Sequence, residues 1–181
     1  YSIQYLLGLS NYQIKEYEET EKFFISALKI RPDSKNVLHS MAILYDEIDQ
    51  FDKSDSIYNK LINIDDKDAQ AFNNYAYSLV EREIKLKKAL DLASKAIEIE
   101  PNNSSYLDTI GWIYFKLKNF KKAQDYIEKS LRITNDNAVV LEHLGDVMMK
   151  INRLTEAKDL YRRALLLDKS NQRLKVKASS E

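Results

Sequence analysis

Few residues in this 181-residue sequence have the type and spacing that catalysis or metal binding requires. There is no cysteine, which excludes thiolate chemistry and disulfides. The two histidines, His39 and His143, have no second ligand at metal-binding spacing. The three glycines are isolated from one another, so there is no glycine-rich phosphate loop. The sequence therefore predicts a protein without enzymatic activity, bound metal or cofactor.

Charge and hydropathy argue against two further classes of protein. The 28 basic and 28 acidic side chains give a net charge of zero, whereas a general nucleic-acid binder needs a basic face. No apolar run approaches the roughly 18 residues of a membrane-spanning helix. Because the sequence begins at Tyr1 rather than methionine, we expect it to be a piece of a longer chain.

A pair of amphipathic helices is predicted over residues 106–131. Apolar or small residues recur there at offsets of three and four, first over 107–114 and then over 123–131. A polar segment, 116–119, separates the two stripes and predicts a tight turn. Neither helix can bury its stripe alone, so the pair needs neighbours of the same kind.

The rare residues of the chain reveal those neighbours through a common period. Gly111 and Gly145 are 34 positions apart, and Gly8 precedes Gly111 by 103, which is three periods plus one. Pro32 and Pro101 are 69 apart, which is two periods plus one. A single period of 34 with one inserted residue accounts for all five, and we expect the insertion in the turn near 81–85.

Small residues recur at two positions of this period. Position eight reads Gly8, Ala42, Ala76, Gly111 and Gly145. Position 20 reads Thr20, Ser54, Ala89, Ala123 and Ala157. A glycine inside a helix costs about 1 kcal/mol relative to alanine, so three glycines at one position indicate a packing requirement. We expect position eight to lie where the two helices cross, facing position 20.

This pattern resembles the tetratricopeptide repeat (TPR) family, whose unit is 34 residues long. The resemblance implies an all-α fold, a right-handed α-solenoid of five helix-turn-helix repeats with about ten helices. The repeats are predicted at 1–34, 35–68, 69–103, 104–137 and 138–171, and residues 172–181 as a polar capping segment or tail. The turns within repeats are predicted near 14–16, 48–50, 82–86, 117–119 and 151–153.

The resemblance also implies a binding site. In the family, the first helix of each repeat lines a concave groove, and positions two, five, nine, twelve and thirteen point into it. Positions five, nine and twelve are carried over to this sequence. The groove residues predicted in this way are Tyr5, Leu9, Tyr12, His39, Ile43, Asp46, Asn73, Tyr77, Asp108, Trp112, Phe115, Glu142 and Asp146. Aromatic and acidic side chains dominate this set, which suits a partner segment with apolar and basic side chains. The alternative is that the aromatic residues only stack between adjacent first helices.

The prediction that follows is a protein–protein interaction module without catalysis. Trp112, with Tyr77, Phe115 and Asp108, is expected to form the ligand-contacting patch. Two alternatives stay open: a self-assembling structural scaffold, and a targeting domain attached to a larger enzyme.

Three first-helix segments of the sequence bear on the compartment. Three segments, NNYAYSLVE, YLDTIGWIYFK and VLEHLGDVMMK, are similar to a bacterial TPR subset with several envelope-associated members. The compartment therefore stays open between the cytoplasm and a bacterial envelope.

The first repeat has no predecessor in this sequence, so we expect Ile3 and Ile14 to be exposed. An exposed apolar end predicts further repeats upstream or self-association through this end.

Overall fold

The computed structural model describes residues 1–179, and every regular element in that range is an α-helix. The helices are α1 (Ser2–Gln13), α2 (Tyr17–Ile30), α3 (Lys35–Glu47), α4 (Phe51–Ile64), α5 (Ala69–Glu81), α6 (Leu86–Ile99), α7 (Ser104–Lys116), α8 (Phe120–Ile133), α9 (Ala138–Lys150), α10 (Leu154–Leu167) and α11 (Gln172–Ser179). The predicted all-α class is confirmed.

The five predicted turns within repeats are also confirmed. Three residues separate the paired helices at 14–16, 48–50, 117–119 and 151–153, and four residues do so at 82–85. The inserted residue of the third repeat is therefore accommodated in a turn, where it leaves the phase of both helices unchanged.

All five turns close in the same way, by a pair of backbone hydrogen bonds that ends the first helix. After α1, the amide of Lys15 donates to the carbonyl of Tyr12 (3.0 Å) and that of Glu16 to the carbonyl of Asn11 (2.9 Å). This is the Schellman motif, which places one residue in the left-handed conformation. The residues at that place are Lys15, Asp49, Glu83, Lys118 and Asn152, with φ between 53° and 63°. None is glycine, so the usual sequence marker of this turn is missing.

The chain divides into two compact units, Tyr1–Tyr75 and the residues from Ala76 onward, with the division inside α5. In the first unit, Phe24, Val37 and Leu44 belong to a buried cluster on which Tyr5 and Leu9 pack. In the second unit, residues of α8, α9, α10 and α11 share one buried cluster that contains Ile127, Leu141 and Leu174.

The glycines confirm that position eight must be small, and they show which side chain it meets. A β-carbon on Gly111 would lie 2.6 Å from the side chain of Ile127. A β-carbon on Gly8 or Gly145 would overlap the ring of Phe24 or Tyr161 in the same way. Position eight therefore meets the large side chain at position 24, in addition to the expected position 20 at Gly111. Position 24 projects its side chain across the gap, whereas Ala123 at position 20 approaches Gly111 with its carbonyl oxygen.

The predicted capping segment is largely helical. Residues Gln172–Ser179 form α11, and Leu174 is buried in the cluster of the second unit. Residues 180 and 181 lie outside the described residues. The division into five repeats at the predicted boundaries stays a prediction.

Candidate interaction site

The structure places the thirteen predicted groove residues in three different environments. Ile43 and Tyr77 are exposed. Half-buried are Tyr5, Leu9, Tyr12, Asp46, Phe115 and Asp146. Buried are His39, Asn73, Asp108, Trp112 and Glu142. Most of this set is thus occupied by contacts within the chain.

In the first unit, the tyrosines of α1 bond to polar residues of α3. The hydroxyl groups of Tyr5 and Ser40 are 3.1 Å apart, and Tyr12 donates to Glu47 at 2.6 Å. Glu47 also accepts from Tyr17 of α2 at 2.9 Å. These two hydrogen bonds lower the pKa of Glu47, and burial together with the same contact raises that of Tyr12. Neutral donors therefore hold this junction together.

Two more groove residues of the first unit have intramolecular partners. His39 Nε2 lies 3.1 Å from Asp68, a residue that also accepts from the backbone amide of Ala71. Asp46 accepts from the hydroxyl groups of Ser54 (2.6 Å) and Tyr58 (2.8 Å), which joins α3 to α4. Ile43 is left as the exposed member of the set in this unit.

In the second unit, Trp112 is the centre of a stack rather than of an open surface. Its ring lies 4.0 Å from that of His143 and 4.7 Å from that of Phe115, with nearly parallel planes. Its indole N–H donates to Glu81 Oε1 at 2.8 Å. Only 8% of Trp112 is exposed. The expectation that Trp112 is the exposed centre of the patch is wrong, because His143 of the next repeat covers its ring.

Asp108 is likewise enclosed, beside the stack. His143 Nδ1 lies 3.0 and 3.1 Å from the two carboxylate oxygens of Asp108, and both residues are buried. A buried carboxylate needs such a partner because its desolvation is otherwise costly. Asp108 therefore contributes negative charge beneath the surface, and its contact with a partner segment is not supported by this geometry.

Glu142 and Asp146 of α9 bind two cations of α11. Arg173 contacts both carboxylate oxygens of Glu142, at 2.8 and 3.0 Å. Lys177 contacts Glu142 at 2.8 Å and Asp146 at 2.6 Å. Asp146 also accepts from the hydroxyl of Tyr161 at 2.7 Å. The acidic groove positions of the last repeat are thus filled by basic side chains of the same chain.

Sequence reasoning missed this role of Arg173 and Lys177, although a signal for it exists. The offset between Glu142 and Lys177 is 35, and the same offset joins Asp108 to His143 and Tyr5 to Ser40. In each case, position five of one first helix meets position six of the first helix that follows. A search for complementary side chains at this offset would have found all three pairs.

Tyr77 is the exposed aromatic residue of the second-unit set, with 38% of its surface accessible. Partial burial, followed by the negative charges of Glu81 and Asp108, raises the pKa of its hydroxyl to about 12. Among the charges that act on this hydroxyl, the carboxylates of Glu81 and Asp108 outweigh the cation Arg173.

The described residues contain no group of three or more side chains spaced to hold a metal ion. Among the same residues, no helix combines the length and the apolar character that crossing a bilayer demands.

Sequence models of the tetratricopeptide repeat match residues 1–34, 104–137 and 138–171, which together exceed half of the chain. The chain belongs to the tetratricopeptide repeat family. The TPR fold generally mediates protein–protein interaction, and TPR proteins are generally non-catalytic adaptors.

Individual relatives are distant and partly bacterial. The chain is 27% identical over 120 residues to the TPR repeat-containing protein PA4667 of Pseudomonas aeruginosa, covering 64% of this chain and 20% of that one. It spans about a fifth of the length of the curated relatives it matches.

Two solved structures show the same fold at low identity. PilF of Pseudomonas aeruginosa is similar with a TM-score of 0.81 and 23% identity, over 97% of this chain and 80% of that one. PilW, described as a type IV pilus biogenesis factor, has a TM-score of 0.85 and 19% identity, over 94% of this chain and 79% of that one.

Proposed function

We propose that this TPR chain is a protein-interaction module that binds a segment with apolar and basic side chains around Tyr77. The observation that carries the proposal is an exposed aromatic ring in acidic surroundings. A tyrosine loses little side-chain entropy on binding and buries a large area, which suits an interface anchor. Carboxylates beside it favour a basic partner over an acidic one.

Trp112 supports this surface from below. Its indole N–H holds Glu81 at 2.8 Å, and its ring is fixed between His143 and Phe115. The carboxylate of Glu81 is thereby kept near Tyr77, in a position where its charge acts on a bound segment. We assign Trp112 a positioning role in place of direct contact.

A photo-crosslinking amino acid at position 77 of the full-length protein tests the proposal. The matched control is position 126, another tyrosine, half-buried in α8 and stacked on Tyr114. We expect crosslinks to a partner at 77 and not at 126, and the crosslinked peptide should carry basic residues. Glu81→Gln keeps an acceptor for Trp112 but removes the charge, so it should weaken crosslinking. Equal crosslinking at both positions, or no effect of Glu81→Gln, would contradict the proposal.

A second candidate function, self-association, is favoured by the composition of α1. This helix contains no charged side chain, although 31% of the residues in the chain are charged. Ile3 and Ile14 are each 70% exposed, and Leu6 is 61% exposed. Such a surface favours association, because its burial removes apolar area from water without stranding any charge.

Light scattering over a concentration range tests this second function. Ile3→Glu should reduce the average mass at high concentration. The matched control is Leu166→Glu in α10, because Leu166 is also 70% exposed. A monomer at all concentrations, or an equal effect of both variants, would exclude association through α1.

For the compartment, we propose association with a bacterial envelope. The support is the similarity to PilW, a protein described as a type IV pilus biogenesis factor. Fractionation of cells that express the full-length protein gives a direct test. Recovery in the cytoplasmic fraction alone would contradict the proposal.

A further inference from the structure

The C-terminal helix α11 is short, basic and bound by polar contacts. Its eight residues include Arg173, Lys175 and Lys177 and no acidic side chain. Arg173 and Lys177 point to α9, whereas Lys175 is exposed. The helix therefore directs two basic side chains at the chain and a third at solvent.

Leu174 is the main apolar anchor of α11. It is 1% exposed and belongs to the cluster that includes Leu141 and Leu144 of α9. By contrast, Val176 is 65% exposed. For comparison, α9 is the first helix of its repeat and buries eight residues, whereas the buried residue of α11 is Leu174. The apolar attachment of α11 is therefore much smaller than that of α9.

The acceptor side of this contact is preorganised. Glu142 is 2% exposed and accepts from both cations, and Asp146 is fixed by the hydroxyl of Tyr161. Two carboxylates beside a buried apolar cluster fit a helix with a basic residue, an apolar residue directly after it, and a second basic residue three positions later. Arg173, Leu174 and Lys177 satisfy this pattern.

We propose that α11 is an internal occupant of a docking site for basic amphipathic helices on α9 and α10, and that a partner helix with the same pattern displaces it. The inference rests on the proposed function, and it defines a second contact of the partner beyond Tyr77. Attachment mainly through ion pairs, with Leu174 and the small Ala178 as the apolar contacts, makes the exchange sensitive to salt. A partner can bind only those molecules in which α11 has left the site. The apparent affinity for the partner is therefore reduced in proportion to the fraction of molecules with α11 undocked.

A fluorescent peptide with the sequence of residues 170–179 serves as the probe. It is titrated by anisotropy against the whole chain and against the double variant Arg173→Glu/Lys177→Glu, in which α11 is repelled from Glu142. Binding to the double variant should be about 10- to 100-fold tighter than to the unmodified chain, as expected when an internal competitor is released. Lys175→Glu is the matched control, since it changes the charge of α11 on the exposed side and should leave the affinity unchanged.

Two further arms make the result decisive. Adding Glu142→Gln to the double variant should abolish peptide binding, and a peptide with serine in place of the leucine should not bind. Hydrogen exchange of the α11 amides in the unmodified chain should accelerate when unlabelled peptide is added, which reports displacement without any substitution.

The outcomes that overturn the inference are distinct from failure of the proposed function. Absence of peptide binding to the double variant, or binding that ignores Glu142→Gln, would show that α11 is a fixed cap. Crosslinking at position 77 would then still support a partner at Tyr77. If exchange in α11 stays slow at saturating peptide, displacement is excluded even where the peptide binds.

Discussion

Two first-helix residues at opposite ends of the chain occupy the same repeat position in contrasting environments. Ile3 of α1 and Leu174 of α11 both stand at position three, where an apolar side chain packs on the repeat before it. Ile3 is 70% exposed, and Leu174 is 1% exposed. The difference shows that the repeat position sets the direction of a side chain, whereas the presence of a neighbour decides its burial.

The polar contacts at the two ends differ as well. At the α1–α3 junction, the neutral hydroxyl of Tyr5 is hydrogen-bonded to that of Ser40, and the hydroxyl of Tyr12 donates to Glu47. At the α9–α11 junction, the cations Arg173 and Lys177 bind carboxylates. The first kind of contact is insensitive to salt and the second is weakened by it.

The largest expected effect comes from an aspartate at position three. Leu174→Asp should lower the free energy of unfolding by about 2–4 kcal/mol, because it removes a buried leucine and places a charge in the cluster. Ile3→Asp should change it by less than about 0.5 kcal/mol, as for exposed sites in general. Urea denaturation followed by circular dichroism measures both. Equal losses would contradict the burial difference between the ends.

Overpacking at position eight should have the next largest effect. Gly145→Leu should cost about 1–3 kcal/mol, because its side chain meets Tyr161 and α9 is buried on its other sides. Gly8→Leu meets Phe24 but should cost less, since the outer face of α1 is exposed and the helix can shift outward. Thermal melting of the two variants gives the order. A larger loss for Gly8→Leu would refute the idea that α1 is free to move.

A smaller gain is expected at the left-handed turn residues. Lys15→Gly should stabilise the chain by roughly 0.5–1 kcal/mol, because the left-handed conformation is unfavourable for a residue with a β-carbon. Asn152→Gly at the corresponding turn should gain less, since asparagine tolerates this conformation better. Chemical denaturation of both variants measures the gain. A loss of stability in Lys15→Gly would indicate that its side chain makes a contact worth more than the strain.

The smallest effect concerns acid. Hydrogen bonds from Tyr12 and then Tyr17 lower the pKa of Glu47 below its usual value of 4.5. A lowered folded-state pKa contributes stability above about pH 4.5 that is lost as the pH falls through the folded-state value. The double variant Tyr12→Phe/Tyr17→Phe should therefore have a slightly lower melting temperature than the unmodified chain at pH 7. On acidification to pH 3, its melting temperature should fall by less. Parallel pH profiles for the two proteins would show that these hydrogen bonds do not matter.

The fold was predictable because its signal repeats along the sequence. The period of Gly8, Gly111 and Gly145 located each helix crossing, and the inserted residue could be assigned to a turn because a helix would have lost its phase. The turn geometry itself was not predictable. Residues such as Lys15 and Lys118 adopt the left-handed conformation without a glycine to mark it.

The site was harder to predict because each groove position depends on the repeat that follows. A small residue at position 143 of the following first helix would leave the ring of Trp112 exposed. His143 at that position stacks on the ring and buries it. Glu142 reads as a free carboxylate until Lys177 is placed 35 positions later. Tyr77 and Ile43 keep the exposure that the family pattern implies.

The pairing of position five with position six of the next first helix determines which pieces of the chain can be exchanged. A repeat cut at its formal boundaries, such as 104–137, carries Asp108 away from His143. A fragment that runs from the middle of one repeat to the middle of the next keeps such a pair intact. Recombination, circular permutation and consensus design on this chain should therefore keep two successive first helices together as one unit. The cut should fall inside a helical hairpin and not between two hairpins.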